Sequence, residues 1–359
     1  MITKKLGIIG GGQLGRMSAL AAARLGIQTF IYCPEQGCPA SHVSAGTYFA
    51  DYNNKKALAE FAAMVDVITY EFENIPVETV KYLQTFKPVF PDEQLLEISQ
   101  DRVLEKKFLN DIGIKTAEWE PVNSYKDIEP VFNKWNEGAF ILKTTRFGYD
   151  GKGQAKFKKG DNAKQVWKDL GAGPLIAEQI VDFKCELSMI IARDKLGQMV
   201  TYGPMMNEHQ NSILHKTTMP PPGGLVTPEI EQDAIKLVQL LAEAVDLVGV
   251  LTLELFLTED GRLLANEIAP RTHNSGHWTI DACVTSQFDN HVRAVCSLNV
   301  GAPRQHSDAE MLNLIGDDVK GAAKFLENPN ACLHLYGKYD VRAGRKMGHV
   351  TFLDEQING

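Results

Sequence analysis

Over residues 1–90, short, mainly apolar runs alternate with longer segments of mixed polarity. Residues 6–9, 27–32 and 65–69 have the length and content of buried strands, and 13–25, rich in alanine and leucine, has the texture of a helix. Alternation of this kind predicts a parallel sheet with helices on its faces. Residues 87–91 read as a last strand running to a boundary. Asp101 then stands where it caps a helix over Arg102–Asp111, its carboxylate at the positive end of the helix dipole.

From 117 to 181 the texture changes. A strand at 140–144, a glycine-rich loop at 148–154, a helix near 162–170 and a strand at Leu175–Gln179 predict a small α+β unit. Residues 182–218 read as strands and loops. A long amphipathic helix over 227–247 opens at Thr227 with Pro228 in its first position. In 250–268 two apolar runs flank Asp260 and Gly261, a strong hairpin signal. Beyond it lie a polar stretch, 269–279, and a predicted helix, 280–298. The final unit comprises a strand at 311–315, a helix at 318–327 and strands near 332–336 and 347–353. There is no internal repeat and no low-complexity segment.

A chain of 359 residues has room for two or three domains. Its hydrophobic share of 44% and charged share of 23% are those of a globular protein, and no apolar run approaches a membrane span. The net charge of −8 gives no nucleic-acid footprint, so an anionic ligand needs a local basic cluster. Residues 6–26 superficially suggest a signal peptide. Gln13, Arg16 and Arg24 interrupt the run and its glycines cluster as in a phosphate loop, which argues against export. Six cysteines at wide, irregular spacings form neither a zinc pattern nor a disulfide framework. The expectation is a cytoplasmic enzyme with reduced thiols.

Candidate chemistry gathers in a few places. If Asp260 and Gly261 alone form the hairpin turn, Glu254 lies directly opposite Glu267. Like charges so placed repel unless a cation sits between them, and oxygen-only ligands, with Asn266 adjacent, suit Mg2+; a solvated strand face is the plain alternative. Gly10, Gly12 and Gly15 match G-x-G-x-x-G between strand and helix, and Glu35 falls where a ribose-binding acid would stand in a dinucleotide enzyme. A nicotinamide-dependent dehydrogenase is therefore a rival reading. The second glycine loop weighs against it: Gly148, Tyr149, Asp150, Gly151, Lys152, Gly153 and Gln154 follow a strand ending near Lys143, an arrangement suited to a nucleotide's phosphates. Glu178, Gln179, Ile180 and Val181 end the next strand, where backbone groups would meet adenine, and Glu186 would accept ribose hydroxyls. Arg271, His273, Asn274, Ser275 and His277 crowd a segment too polar for core and suit an anionic substrate. Lys338, Arg342, Arg345, Lys346 and His349 form the densest basic patch of the acidic chain, a solvated rim or a phosphate seat.

Taken together, 10–17 (GGGQLGRM), 69–76 (TYEFENIP), 148–154 (GYDGKGQ), 266–279 (NEIAPRTHNSGHWT), 286–288 (SQF) and 344–349 (GRKMGH) resemble the ATP-grasp superfamily. Within it they resemble the N5-carboxyaminoimidazole ribonucleotide synthetases of purine biosynthesis. The resemblance implies a three-domain α/β and α+β fold: a pre-ATP-grasp domain over 1–100, an ATP-grasp domain over 101–298 with its lid at about 117–181, and a C-terminal domain over 299–359. It implies ATP and Mg2+ as cofactors, 5-aminoimidazole ribonucleotide and bicarbonate as substrates, and a cytoplasmic homodimer. Arg102, Lys143, the 148–154 loop, Glu178 to Val181, Glu186, His209 and Asn266 would contact the nucleotide, and Glu254 and Glu267 the metal. Gln13, Leu14, Glu73, His273, Asn274 and Ser275 would meet the ribonucleotide, and Lys338 and Arg345 its phosphate. Tyr149, Asp150, Lys152 and Arg271 would serve catalysis. Many members carry Arg where this chain has Lys152, which keeps the charge and loses the bidentate fork. Another ATP-grasp carboxylate–amine ligase, or a nucleotide sensor without turnover, remains a rival.

Overall fold

The structure is a computed structural model, and it describes residues 4–135, 138–148 and 151–355. Three sheets organise it. The first is wholly parallel, in the order β3-β2-β1-β4. Its strands are β1 (Lys5–Ile9), β2 (Gln28–Cys33), β3 (Gly46–Phe49) and β4 (Val67–Tyr70). Helix α1 (Gln13–Arg24) follows β1 directly, while α2 (Lys55–Met64), α3 (Val77–Gln84) and α4 (Glu93–Ser99) complete the layer. The short half-buried β3 and these last three helices have no counterpart among the sequence expectations; Asn54 and Asp92 cap α2 and α4 with their side chains. The strand expected at 87–91 is a single bridge, Ile68 to Val89. Asp101 caps α5 (Arg102–Asp111) as expected, its Oδ1 accepting from the amide nitrogens of Val103 at 3.0 Å and Leu104 at 3.3 Å.

The second sheet is antiparallel, in the order β5-β8-β6-β7. It contains β5 (Trp119–Val122), β6 (Ala139–Thr144), β7 (Gln154–Lys158) and β8 (Leu175–Gln179), with α6 (Ile128–Trp135) and α7 (Ala163–Asp169) packed on it around Phe140, Leu142 and Phe157.

The third sheet has eight strands, in the order β13-β12-β9-β10-β11-β14-β16-β15. Its members are β9 (Phe183–Arg193), β10 (Met199–Gln210), β11 (Ile213–Met219), β12 (Gly249–Thr258), β13 (Leu263–Ala269), β14 (Ser307–Ile315), β15 (Ala331–Leu335) and β16 (Lys346–Glu355). The C-terminal strands thus extend the central sheet through the β11–β14 pairing. Helix α8 (Pro228–Ala244), capped by Thr227, buries Ala234, Val238, Leu241 and Ala242 against it.

One expectation fails for a legible reason. The helix foreseen at 280–298 is two helices, α9 (Thr279–Ala282) and α10 (Gln287–Val295). A capping box of Ser286 and Asp289 starts α10 afresh, a signal present in the sequence. The helix expected at 318–327 is present as a 3-10 helix over Gly316–Glu327. Helix α10 packs Phe288, Val292 and Val295 into the same core as α1, tying the parallel sheet to the large one.

Candidate active site

The hairpin β12–β13 differs from the two-residue turn expected for it. The amide of Thr258 donates to the carbonyl of Arg262 at 3.0 Å, which leaves a three-residue loop with Gly261 at φ +83°. Near the turn Leu257 pairs with Leu263 and Leu255 with Ala265, whereas beyond it Leu253 pairs with Ile268. The shift is a β-bulge in which Glu254 faces two residues, Asn266 and Glu267. The bulge restores the juxtaposition that the turn length alone would have broken, and it brings three oxygen-bearing side chains to one place.

Those three open on a cleft of about 500 Å3. Arg102, Lys143, Gly148, Gly151, Lys152, Gln154, Glu186 and His209 also line it, as do Glu73, Arg271, His273 and Asn274. Each carboxylate already has a nitrogen partner. Glu254 lies 3.1 Å from His273 Nε2, and Arg102 Nη1 donates to Glu267 at 3.2 Å while its Nη2 donates to the Gly148 carbonyl at 3.3 Å. Burial would raise Glu254, but the His273 hydrogen bond and charge outweigh it and hold the carboxyl below its usual range. Two carboxylates and an amide oxygen suit a hard divalent cation such as Mg2+.

His273 is fixed from behind. Its Nδ1 lies 2.8 Å from Ser275 Oγ, which accepts from Ser188 Oγ at 2.8 Å, and Asn207 donates to Ser188 at 2.9 Å. Ser275 is therefore a buried support and not a lining residue. Asn274 exchanges amide hydrogen bonds with Asn313 at 2.8 and 2.9 Å. Arg271 grips Glu73 with two bonds, Nη2 to Oε1 being 3.0 Å; burial alone would raise Glu73, yet the guanidinium holds it at about 2. His209 hydrogen-bonds Glu186, whose charge overcomes burial and raises the imidazole.

Beneath the lysines sits Glu178, buried, with Lys143 at 2.9 Å and Lys106 at 3.6 Å. Glu178 is thus a counter-charge behind the cleft. Lys106 was not foreseen; it donates to the Asn266 carbonyl at 2.9 Å and stiffens the bulge. Glu105, also unforeseen, accepts from the Ile268 amide at 2.6 Å, and burial with the nearby Glu267 raises its carboxyl above the usual range. Gln179, Ile180 and Val181 line a separate, more open depression of about 820 Å3 with Trp119 and Asp260. Gly153 closes its loop by accepting from the Thr144 amide at 2.8 Å. Tyr149 and Asp150 lie outside the described residues.

The first glycine loop has a different occupant from the phosphate expected of a dinucleotide fold. Glu71 follows β4, and its carboxylate accepts from the Gly12 amide and, at 2.7 Å, from the Gly15 amide. An acidic side chain thus fills the anion seat at the helix start, which removes the physical basis of the dehydrogenase reading. Glu71 was readable in principle: it ends a strand adjacent to β1, and ligand crevices lie at the carboxyl ends of parallel strands. Gln13 and Leu14 start α1 from the same loop. The C-terminal basic loop converges on this place. Gly337 lies beside His42 and Arg16, and Lys338 is close enough for Glu71 and Glu35 to act on its charge. Burial, then Arg345, lowers Lys338 to about 8. Its Nζ donates to the Lys346 carbonyl at 2.6 Å, and Arg345 Nη1 to the Asp340 carbonyl at 3.0 Å.

A bulged carboxylate hairpin, a glycine loop on an antiparallel lid and lysines between them define an ATP-grasp protein, and the ATP-grasp domain family matches residues 107–288. The ribonucleotide synthetase preATP-grasp domain matches 3–100, and the phosphoribosylaminoimidazole carboxylase C-terminal domain 309–358. The N5-carboxyaminoimidazole ribonucleotide synthase of Brucella melitensis is 48% identical over 96% of this chain and 95% of its own. That of Bacillus subtilis is 40% identical over 98% and 91%. Among solved structures, an N5-carboxyaminoimidazole ribonucleotide synthetase in complex with ADP superposes with a TM-score of 0.93 at 37% identity, covering 99% of this chain and 93% of the other. An Aspergillus clavatus enzyme in complex with ADP and 5-aminoimidazole ribonucleotide gives 0.91 at 31%, covering 99% and 96%. The chain belongs to the N5-carboxyaminoimidazole ribonucleotide synthase family.

Proposed function

We propose that the chain carboxylates 5-aminoimidazole ribonucleotide with bicarbonate at the expense of ATP, giving N5-carboxyaminoimidazole ribonucleotide, ADP and phosphate by way of carboxyphosphate. One observation supports this most: the carboxylate bulge, Arg102, Lys143 and Lys152 line one cleft. In our reading Arg102, Lys143 and the 148–154 loop hold the phosphates of ATP, and Glu186 and His209 the ribose. Gln179 to Val181 present backbone to adenine at the edge of the neighbouring depression. Glu254, Glu267 and Asn266 hold Mg2+, which when bound neutralises charge on the transferring phosphoryl group.

Bicarbonate attacks the γ-phosphorus while Lys143, Lys152 and Arg271 offset the charge that develops. The lid loop, with Tyr149 and Asp150, excludes water from carboxyphosphate. Carbon dioxide released there meets the exocyclic amine of the ribonucleotide, and Asp150 or the departing phosphate takes the proton. Lys338 and Arg345 bind the ribonucleotide phosphate, with Gln13, Leu14, Glu73 and the His273–Asn274 turn on its other side. Domain limits near 100 and 298, a homodimer and a cytoplasmic setting belong to the same proposal; among the described residues no helix is long and apolar enough to cross a membrane.

The test is phosphate release from ATP with bicarbonate, with and without 5-aminoimidazole ribonucleotide. Strong stimulation by the ribonucleotide, and thermal stabilisation by Mg-ADP but not by NAD or NADP, is expected. Unstimulated turnover, or stabilisation by NAD alone, would refute it.

A further inference from the structure

Among the described residues, one group of three or more metal-capable side chains has donor atoms that all lie within 4.8 Å of one another: Asp281, His334 and His349. It stands apart from the carboxylate cleft, whose lining includes none of the three. The sheet register builds it. His334 on β15 pairs directly with His349 on β16, and the two rings stack with centroids 4.5 Å apart. Helix α9 packs over these strands and brings Asp281, whose Oδ1 and Oδ2 lie 3.1 and 2.9 Å from His334 Nε2. Cys332 stands two residues before His334, so on the same face of β15, near enough to Asp281 for that carboxylate, after burial, to raise its thiol.

A second, independent observation concerns His349. Its side chain is fully buried, its Nδ1 is engaged by the Tyr336 hydroxyl at 2.9 Å, and its Nε2 is buried with no hydrogen-bond partner. A buried imidazole nitrogen left unpartnered costs free energy, and a cation is one group that can satisfy it. With Nδ1 already committed, the other nitrogen is the one free to ligate, which is the usual support for a metal-bound histidine.

We propose that Asp281, Cys332, His334 and His349 form a structural site for a divalent transition cation of the Zn2+ class. The donor set decides the class. Imidazole nitrogen, thiolate sulfur and one carboxylate suit Zn2+ or Co2+, whereas Mg2+ selects oxygen ligands. Donors around a tetrahedral Zn2+ stand about 3.3–3.8 Å apart, given bonds of roughly 2.0–2.3 Å. The Asp281–His334 pair, at 2.9 and 3.1 Å, stands a few tenths of an ångström closer than that, as a hydrogen-bonded pair does before an ion enters, and side-chain rotation brings the set to the ligand spacing. His334 is part-exposed and gives the ion its way in. The site would pin β15 and β16 to α9. The chain leaving β15 leads at once to Tyr336 and Lys338, so the clip also holds the basic loop that we assign to the ribonucleotide phosphate.

The test is Co2+ titration of the full-length chain, stripped with chelator and dialysed, in excess Mg2+ to block the oxygen site. One equivalent should bind with the visible absorption of low-coordinate Co2+, be displaced by Zn2+, and raise the melting temperature. Asp281→Asn and His334→Ala, both at part-exposed positions, should weaken binding at least about tenfold. Cys332→Ser should remove the sulfur-to-cobalt charge-transfer band. The Glu254→Gln/Glu267→Gln double variant should bind Co2+ as the unmodified chain does. Absence of a stoichiometric visible band, equal affinity in His334→Ala, or loss of binding in the Glu254/Glu267 double variant each overturns the proposal.

Discussion

Removing the charge of Glu178 should unsettle the lid before it affects any ligand. The carboxyl is held at about 2 against an ordinary 4.5; burial acts against this, and Lys106 and Lys143 outweigh it. At about 1.4 kcal/mol per decade of proton affinity, the ionised form gains about 3 kcal/mol from the fold. The side chain is only 5% exposed, so solvent screening removes little of that. The gain is not shared evenly, because burial, with Lys143 and Arg102, keeps Lys106 below the ordinary lysine value despite Glu178. Glu178→Gln should therefore cost about 3 kcal/mol at pH 7, leaving a fully buried ammonium without its counter-charge. Replacing Lys106 and Glu178 together by Met should recover at least half of the loss. Urea unfolding followed by tryptophan fluorescence reports on the right region, since Trp119, Trp135 and Trp167 lie in or on the lid sheet and Trp119 pairs with Glu178 across the ladder. The sign of the pH dependence follows from a depressed carboxyl. Its stabilisation is complete above about 4.5 and is lost as pH falls towards about 2, so the gap between parent and variant should narrow between pH 5 and 3. A loss below about 1 kcal/mol at pH 7, or a gap that does not narrow in acid, would refute the reasoning.

Glu254→Gln and Glu267→Gln should each lower turnover at least about a hundredfold while the chain stays folded. Because each carboxylate faces its own nitrogen partner, His273 or Arg102, no gain in melting temperature is expected; near-normal turnover in both would exclude the metal assignment. Lys338→Ala or Arg345→Ala should raise the half-saturating ribonucleotide concentration about ten- to a hundredfold and leave the ATP requirement nearly unchanged, each charge-assisted contact being worth about 1.5–3 kcal/mol. With Lys338 at about 8, the free protein loses that charge as pH rises through 8. The half-saturating concentration should climb above that pH in the parent and climb less steeply in Lys338→Ala; parallel profiles would place the phosphate elsewhere.

Elements with strong local signals were legible in the sequence, and those set by tertiary pairing were not. Asp101, Asn162 and Thr227 cap helices where a polar residue precedes an amphipathic run, and the apolar runs of β1, β2 and β6 needed no context. β3, half-buried beside β2, offers little pattern because its pairing partner supplies what its sequence lacks. The hairpin shows the limit most clearly. Asp260 and Gly261 announce a turn, but a third residue in the loop shifts the register by one, and on a strand one residue reverses every side chain. Only the bulge opposite Glu254 cancels that shift, and nothing in 250–268 marks a bulge before the pairing of Leu253 with Ile268 and Leu255 with Ala265 is known. The expectation that Glu254 and Glu267 meet was right through two compensating departures from ideal geometry. Glu71 is the converse case. Its type and position were visible in 69–76, but whether an acid there repels a ligand's phosphate or takes its seat depends on how far its carboxylate reaches, and that distance exists only once β4 lies beside β1. Chemistry carried by a residue's identity could be read from the chain; chemistry carried by which of two neighbouring acids turns inward, Glu71 or Glu73, had to wait for the fold.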